Sequence, residues 1–365
     1  MKPRHDVRAL SKNFQLFGEF VSAEPYGSGH INDTYLATYN QGGLTVRYIH
    51  QRINHNIFKQ PVALMENVQR VTEHIHAKLA NHPDVTRHVL TLIPARDGKV
   101  YYRDAEGNYW RTYIFIEKAK TYDVVESTEQ AAKAAKAFGE FQGLLADLPA
   151  PRLQDTIPGF HDTPMRFAAL EKSIQADAVN RAALAKSEIE FALKHKAMTA
   201  LLLDLNRKGE IPERTTHNDT KFNNVMLDDT TQEGICVIDL DTVMPGLALY
   251  DFGDMVRTTT SPAAEDEKDL SKVKMQFPMF EALVRGYLST AGGFLNKAEK
   301  QHLAFSGKLI TFEIGIRFLA DYLAGDVYFK VHREGHNLDR CRTQFKLVEC
   351  IEQQEDAMNK LVAGI

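Results

Sequence analysis

Cysteine is scarce, with three in 365 residues: Cys236, Cys341 and Cys350. Their spacing makes no CxxC pair and no disulfide framework, which argues against a structural zinc site and a disulfide-stapled fold. An excess of one charge is lacking too. The net charge is −4 and no dense Lys/Arg stripe occurs, so neither nucleic acid nor an anionic membrane is an expected partner. Apolar runs fall well short of the roughly 18 residues a membrane span needs. The opening MKPRHDVRALSKNF lacks the apolar core of a signal peptide. A chain working in the reducing cytoplasm is expected.

Hydrophobic and charged contents of 44% and 25% are those of an ordinary folded protein, and 365 residues suit two domains or one bilobed unit. Strand-like runs dominate up to about residue 115. "FVSAEPYGSGHINDTYLATYN" is two such runs about a Gly-rich turn, "LTVRYIHQRIN" a third, and Val100–Tyr102 and "NYWRTYIFIE" add more. One helix interrupts them, with Val62, Met65, Val68, Val71, Ile75 and Leu79 at helical spacing. Beyond Glu117, Ser127–Gln130 reads as a capping box opening a helix through Leu148. Helical patterns recur at 187–207, 276–290, 298–323 and 341–362, around a β-like island at 214–240. Residues 258–272 read as a solvated loop or lid. The expectation is an α+β, bilobed, protein-kinase-like fold: a β-rich lobe over 1–117 and a mainly helical lobe over 118–365.

The densest polar cluster is "THNDTKFNN", residues 216–224, running straight into apolar Val225–Leu227. It sets Asp219 two residues after His217 and Asn224 five after Asp219; fifteen residues further on, the strand-like "VIDLD" delivers Asp239 and Asp241. Phosphoryl transfer from a nucleotide needs such a set. One carboxylate holds the acceptor hydroxyl and takes its proton, while a carboxylate and a carboxamide hold Mg²⁺, a hard cation that prefers oxygen. Alone, the cluster can also be read, as the minor alternative, as a polar loop with an Asx-turn and a helix cap. Gly27-Ser28-Gly29 reads either as a plain hairpin or as backbone amides that cover phosphates. In sequence these features follow the kinase order.

"EPYGSGHINDTYL", "HNDTKFNN", "IDLDTVMPG", "DFGD", "EDEKDLSKV" and "RFLADYLAGDVYF" together resemble the aminoglycoside phosphotransferase superfamily of small-molecule kinases, and within it the N-acetylhexosamine 1-kinases. The likeness runs from about residue 20 to about residue 350. It implies ATP and Mg²⁺ as co-substrate and cofactor, a sugar acceptor, Asp219 as catalytic base, and Asn224 and Asp239 as metal ligands. The literal Asp251-Phe252-Gly253 lies too far downstream to supply the metal aspartate; acids such as Asp251 and Asp254 brace the catalytic loop in this superfamily. Asp241 either assists a second metal or accepts a structural hydrogen bond. Lys221 either meets the transferring phosphate or is a plain surface lysine. The resemblance further implies that His30, Arg317 and Tyr328, with Asp219, hold the hexosamine. On the residues alone, Arg317 is otherwise an i,i+4 salt-bridge partner of Asp321, and Tyr328 a core aromatic.

One departure stands out. Protein kinases carry a lysine on the third strand of the small lobe; here Gln51 falls at that position, with Arg52 on the opposite face of the strand. Gln51 is therefore the expected nucleotide contact there, and Glu66 has no lysine to pair with. Adenine is expected against "YIFIE", hydrogen-bonded by backbone near Phe115 to Glu117. Two other readings stay open: an aminoglycoside, choline or homoserine kinase, and a nucleotide-binding pseudokinase.

Overall fold

The structure, a computed structural model, describes residues 5–27, 29 and 31–365. Five antiparallel strands form the first sheet in the order β1-β2-β3-β5-β4: β1 Glu19–Pro25, β2 Asp33–Gln41, β3 Leu44–Ile53, β4 Tyr102–Arg103 and β5 Tyr109–Ile114. Side chains alternate across a strand, so β3 serves two faces. Tyr48 packs with Val7, Ala37 and Tyr39 beneath the N-terminal segment, while Ile49 and Ile53 turn toward the main core.

The helix Pro61–Lys78 begins with proline, whose fixed φ suits a first turn. Leu64, Val68, Val71 and Ile75 form its buried stripe. Val62, assigned to that face from the sequence, is exposed, because two residues before Leu64 is about 200° around the helix. This helix lies on Thr128–Leu145, whose Ser127 cap accepts from the Gln130 N–H at 3.2 Å, so the expected helix start holds and its end falls three residues short of Leu148. Gly286 lets the helix Phe277–Ala291 approach closely, since a Cβ there would overlap the backbone of Ala132. Phe138, Phe252, Phe280 and Tyr287 fill the space between these helices. Each such fully buried ring is worth roughly 1.5–3 kcal/mol.

The expected helix over 187–207 is instead Lys186–Lys194 and Leu201–Arg207 with a short 3₁₀ turn between them. His195 stacks on Phe191 and its Nδ1 bonds the Phe191 carbonyl at 2.8 Å, closing the first segment. The 298–323 pattern divides into Lys297–Gln301 and Leu303–Ala324, and the 341–362 pattern into His336–Glu352 and Glu355–Ala363. The β island comprises β7 Arg214–Thr216, β8 Val225–Asp228, β9 Gly234–Val237 and β10 Met244–Gly246; β6, Ala119–Lys120, pairs with β8. Pairing of β6 with the island attaches the chain from residue 119 onward to the helical lobe. Residues 258–272 are held to their surroundings by Arg257–Glu265 at 3.3 Å and Arg333–Asp266 at 3.2 Å. Among the described residues no helix is long and apolar enough to cross a membrane.

Candidate active site

The island exists to present one loop. β7 ends at Thr216, and His217 to Lys221 pass beneath the cleft before the 3₁₀ turn Phe222–Asn224 leads into β8. The carboxylate of Asp251, on the helix Ala248–Thr259, accepts from the His217 N–H at 2.9 Å and the Asn218 N–H at 2.7 Å. Gln142 donates to it at 2.6 Å, and Tyr287 in turn donates to Gln142. Burial raises the Asp251 carboxyl above its usual range, and these donors work against that rise. Asp251, the literal DFG aspartate, is thus hydrogen-bonded to the backbone of this loop.

His217 Nε2 contacts the Ile238 carbonyl at 2.9 Å and its Nδ1 accepts from the Asp219 N–H at 3.3 Å, which specifies a neutral ring carrying its proton on Nε2. Asn218 takes a left-handed φ of +65° and donates to the Thr242 carbonyl at 2.9 Å. Gly246 permits that fit: a Cβ there would meet Thr216 Oγ1, and Asn218 Oδ1 at 2.8 Å. A further clamp comes from His161, whose Nε2 meets the Asn218 carbonyl at 3.0 Å while Nδ1 pairs with Glu313 at 2.8 Å. Burial alone would depress His161; the fully buried Glu313 carboxylate outweighs it and the imidazole is raised.

Asp219 stands at the open edge of this brace. Burial tends to raise its carboxyl, but Lys221, with Nζ 2.8 Å from Oδ1, outweighs burial and the net shift is downward. The acid is ionised at neutral pH and able to accept a proton. Lys221 is itself half exposed and raised chiefly by Asp219. Asn224 donates to the Asp219 carbonyl at 2.8 Å, and among the described residues nothing donates to its side-chain oxygen. Asp239 follows β9 by two residues, with a left-handed φ of +59°, and opens the 3₁₀ turn Leu240–Thr242. Its carboxylate opens onto the cleft although protein crowds around it; desolvation, then Asp241 and Asp219, push it up to about 6.

This donor set fits magnesium. A carboxamide oxygen and a carboxylate destabilised by neighbouring negative charge are what a divalent cation relieves. Among the described residues no three His, Cys, Asp or Glu side chains are grouped to hold a metal by themselves. Mg²⁺ on a nucleotide does not need such a group, because phosphates and water supply most of its ligands.

Other expected site residues are placed less simply. Ser28 and His30 lie outside the described residues; Gly27, at φ +81°, and Gly29 have open space where a Cβ would be. Gln51 does not stand free for a nucleotide: its oxygen accepts from Arg111 and its nitrogen donates to Thr34. Arg52 does face the other way, onto Asp33 at 2.7 Å. Phe115 N–H donates to Arg47 at 3.1 Å and the Glu117 carbonyl accepts from Arg87 at 3.1 Å, so Ile116 between them is the residue whose backbone no described hydrogen bond uses. Asp254 bonds Arg257 Nε at 2.7 Å rather than the loop backbone. Asp241 accepts from Asn32 at 2.6 Å and pairs with Arg111.

Arg317 does not use Asp321, which accepts instead from the N–H groups of Val327, Tyr328 and Phe329 at 2.8–2.9 Å and so shapes that loop. The Arg317 guanidinium lies over Phe160 and Phe329, 5.2 and 5.8 Å from the ring centres, with Glu313 at 4.0 Å; it makes no hydrogen bond among the described residues. Tyr328 is 63% exposed, which rules out the core-aromatic reading. Sequence reasoning missed Arg111, His161, Glu313 and Gln142. Two carried a signal: Arg111 within "YWRTYIF" and Glu313 within "LITFEIGI" are charges set in apolar runs.

The phosphotransferase enzyme family model matches residues 22–273, more than half of the chain, and the chain belongs to that family. Its fold is shared with solved structures of low sequence identity. An aminoglycoside phosphotransferase from Alicyclobacillus acidocaldarius aligns over 100% of this chain and 98% of its own, at 12% identity and TM-score 0.65. Choline kinase from Cryptosporidium parvum covers 96% of each chain at 15% identity and TM-score 0.55, and Plasmodium vivax ethanolamine kinase 88% and 82% at 14% identity and TM-score 0.55.

Proposed function

We propose that this phosphotransferase moves the γ-phosphoryl group of ATP onto the anomeric hydroxyl of N-acetylglucosamine or N-acetylgalactosamine, giving the sugar 1-phosphate and ADP. Asp219 orients the hydroxyl and takes its proton as the phosphorus–oxygen bond forms; an ordinary carboxylate suffices when proton transfer is late in a loose transition state. Asn224 and Asp239 would hold the magnesium, which when bound neutralises charge on the transferring phosphates. Lys221 stands beside Asp219 as a second positive charge for the same purpose. Residues 1–117 form the nucleotide-binding lobe, with adenine against Ile116 and its neighbours, and 118–365 the catalytic and acceptor lobe. The ADP-bound spectinomycin phosphotransferase among the structural neighbours supports the choice of adenine nucleotide.

The observation that carries the acceptor assignment is Arg317. Its mostly covered guanidinium sits on two aromatic rings and makes no hydrogen bond among the described residues, so its donors can meet the hydroxyl and amide oxygens of a neutral sugar. Arg166 lies near enough that, after burial, Arg317 is what depresses it. Two guanidinium groups at one site disfavour a polycationic aminoglycoside or choline. The test is sugar-dependent ADP release across a panel of free hexosamines, aminoglycosides, choline and homoserine. Turnover restricted to N-acetylhexosamines supports the reading; turnover with a cationic acceptor, or ATP binding with no turnover on any acceptor, overturns it.

A further inference from the structure

An arginine in the middle of a buried strand needs a reason. Taking a guanidinium out of water costs several kcal/mol unless a matched anion and hydrogen bonds offset it. Arg111 on β5 is 1% exposed and fully engaged. Its Nε and Nη2 donate to Gln51 Oε1 at 2.9 and 2.6 Å, and Nη1 pairs with Asp241. Gln51 and Arg111 are direct cross-strand partners, as are Thr34 and Gln51, so Thr34, Gln51 and Arg111 form one polar row across β2, β3 and β5. Gln51 Nε2 completes the row on Thr34 Oγ1 at 2.9 Å.

The row ends on the opposite lobe. Asp241 lies in the one-turn 3₁₀ helix Leu240–Thr242, directly after the left-handed Asp239. Its second oxygen accepts from Asn32 at 2.6 Å, and Asn32 in turn accepts from the Asn54 N–H at 2.9 Å. Two small-lobe elements therefore grip one carboxylate two residues beyond the candidate metal ligand. A fixed positive charge stands where the third strand itself carries only a neutral amide.

We infer that Arg111 is a positioning residue that supplies, from the neighbouring strand, the small-lobe charge that Gln51 lacks, and that it holds the Asp239 turn in metal-binding geometry through Asp241. The inference rests on Asp239 as a magnesium ligand but not on which acceptor is phosphorylated. Magnesium binding, rather than nucleotide binding in general, then depends on Arg111.

The experiment is calorimetric titration of the full chain with ADP, once with Mg²⁺ and once with EDTA. In Arg111→Gln the ratio of Mg·ADP to metal-free ADP affinity is expected to fall at least about ten-fold, the usual scale for losing a group that orients a metal ligand. Metal-free affinity should stay within about two-fold. In Gln51→Lys/Arg111→Gln, which returns the charge one strand over, part of that ratio should recover. An unchanged ratio in folded Arg111→Gln, or equal losses with and without metal, overturns the inference. Should Arg111→Gln fail to fold, Asp241→Asn replaces it: it keeps the shape, removes the charge that Arg111 pairs with, and must show the same selective loss. A wild-type protein whose ADP affinity ignores Mg²⁺ also overturns it. Metal-dependent ADP binding without hexosamine turnover would sink the acceptor assignment alone.

Discussion

The catalytic loop and the acceptor side of the cleft are built on opposite plans. Around His217 to Asp219 the braced backbone groups have partners: Asp251, Thr242, Ile238 and His161 bind the loop from four directions. Around Arg317 and Tyr328 the loop is shaped by Asp321, while Arg317 rests on two rings with Glu313 4.0 Å away, and neither side chain makes a hydrogen bond among the described residues. The first region is preorganised, so little rearrangement is needed at the moment of transfer. In the proposed function the second would supply the groups that recognise the acceptor. His161 and Glu313 join the two, since Glu313 touches the histidine that clamps Asn218 and also lies 4.0 Å from Arg317.

That contrast can be broken from either side. Asp219→Asn keeps the braced loop and its shape while removing the proton acceptor, so kcat should fall by about 10²–10⁴ with nucleotide affinity and melting temperature nearly unchanged. Steady-state kinetics together with ADP calorimetry check both halves, and near-normal turnover would dissolve the role given to this region.

The next effect concerns pH. An acid raised to about 6 is increasingly protonated below that value, and Asp239 must be ionised to hold a cation. Mg·ADP affinity should therefore decline as pH drops through about 6, roughly ten-fold per unit once below it. In the metal-free protein the same group acts in the opposite sense: its raised carboxyl adds stability as pH falls from about 6 toward the ordinary carboxylate range. Titrating ADP with and without Mg²⁺ between pH 5 and 7 separates this from protonation of the nucleotide, because Asp239→Asn should lose the protein's share of the dependence.

On the acceptor side, Arg317→Ala should raise the acceptor KM about ten-fold or more, the scale of lost charge-assisted hydrogen bonds, with the ATP KM little altered. Equal changes in both constants would make Arg317 a structural member of the braced region. Tyr328→Phe is the mildest change: the side chain is exposed, so stability should not move, while the acceptor KM should rise about two- to three-fold, within the scale of one neutral hydrogen bond. A melting-temperature loss there would show that the hydroxyl is not idle in the free protein.

The two regions also differed in how far they could be read from sequence. Asp219, Asn224 and Asp239 fall within 21 residues, on one loop and just beyond one strand, where spacing and the apolar approach of β9 reveal them. The bilobed fold was legible for the same reason, from runs of period two giving way to runs of period 3.6. The groups that hold those residues in place were not, because their partners are remote. His161 meets Asn218 across 57 residues, Gln142 meets Asp251 across 109, and Asn32 meets Asp241 across 209. No local pattern encodes such pairings; an Arg or Glu stranded in an apolar run is the most a sequence shows. Helix ends failed similarly, as at 187–207, where the interruption depends on a ring contact between Phe191 and His195.

The central claim is that Asp219 delivers the C1 hydroxyl of an N-acetylhexosamine to the transferring phosphate. Phosphorus and proton NMR of the product formed from Mg·ATP and N-acetylglucosamine or N-acetylgalactosamine tests it most directly. The account predicts a phosphate coupled to the anomeric proton, formed by the wild type and nearly absent with Asp219→Asn. Phosphate on any other hydroxyl, or the same product formed at an undiminished rate by the variant, would contradict it.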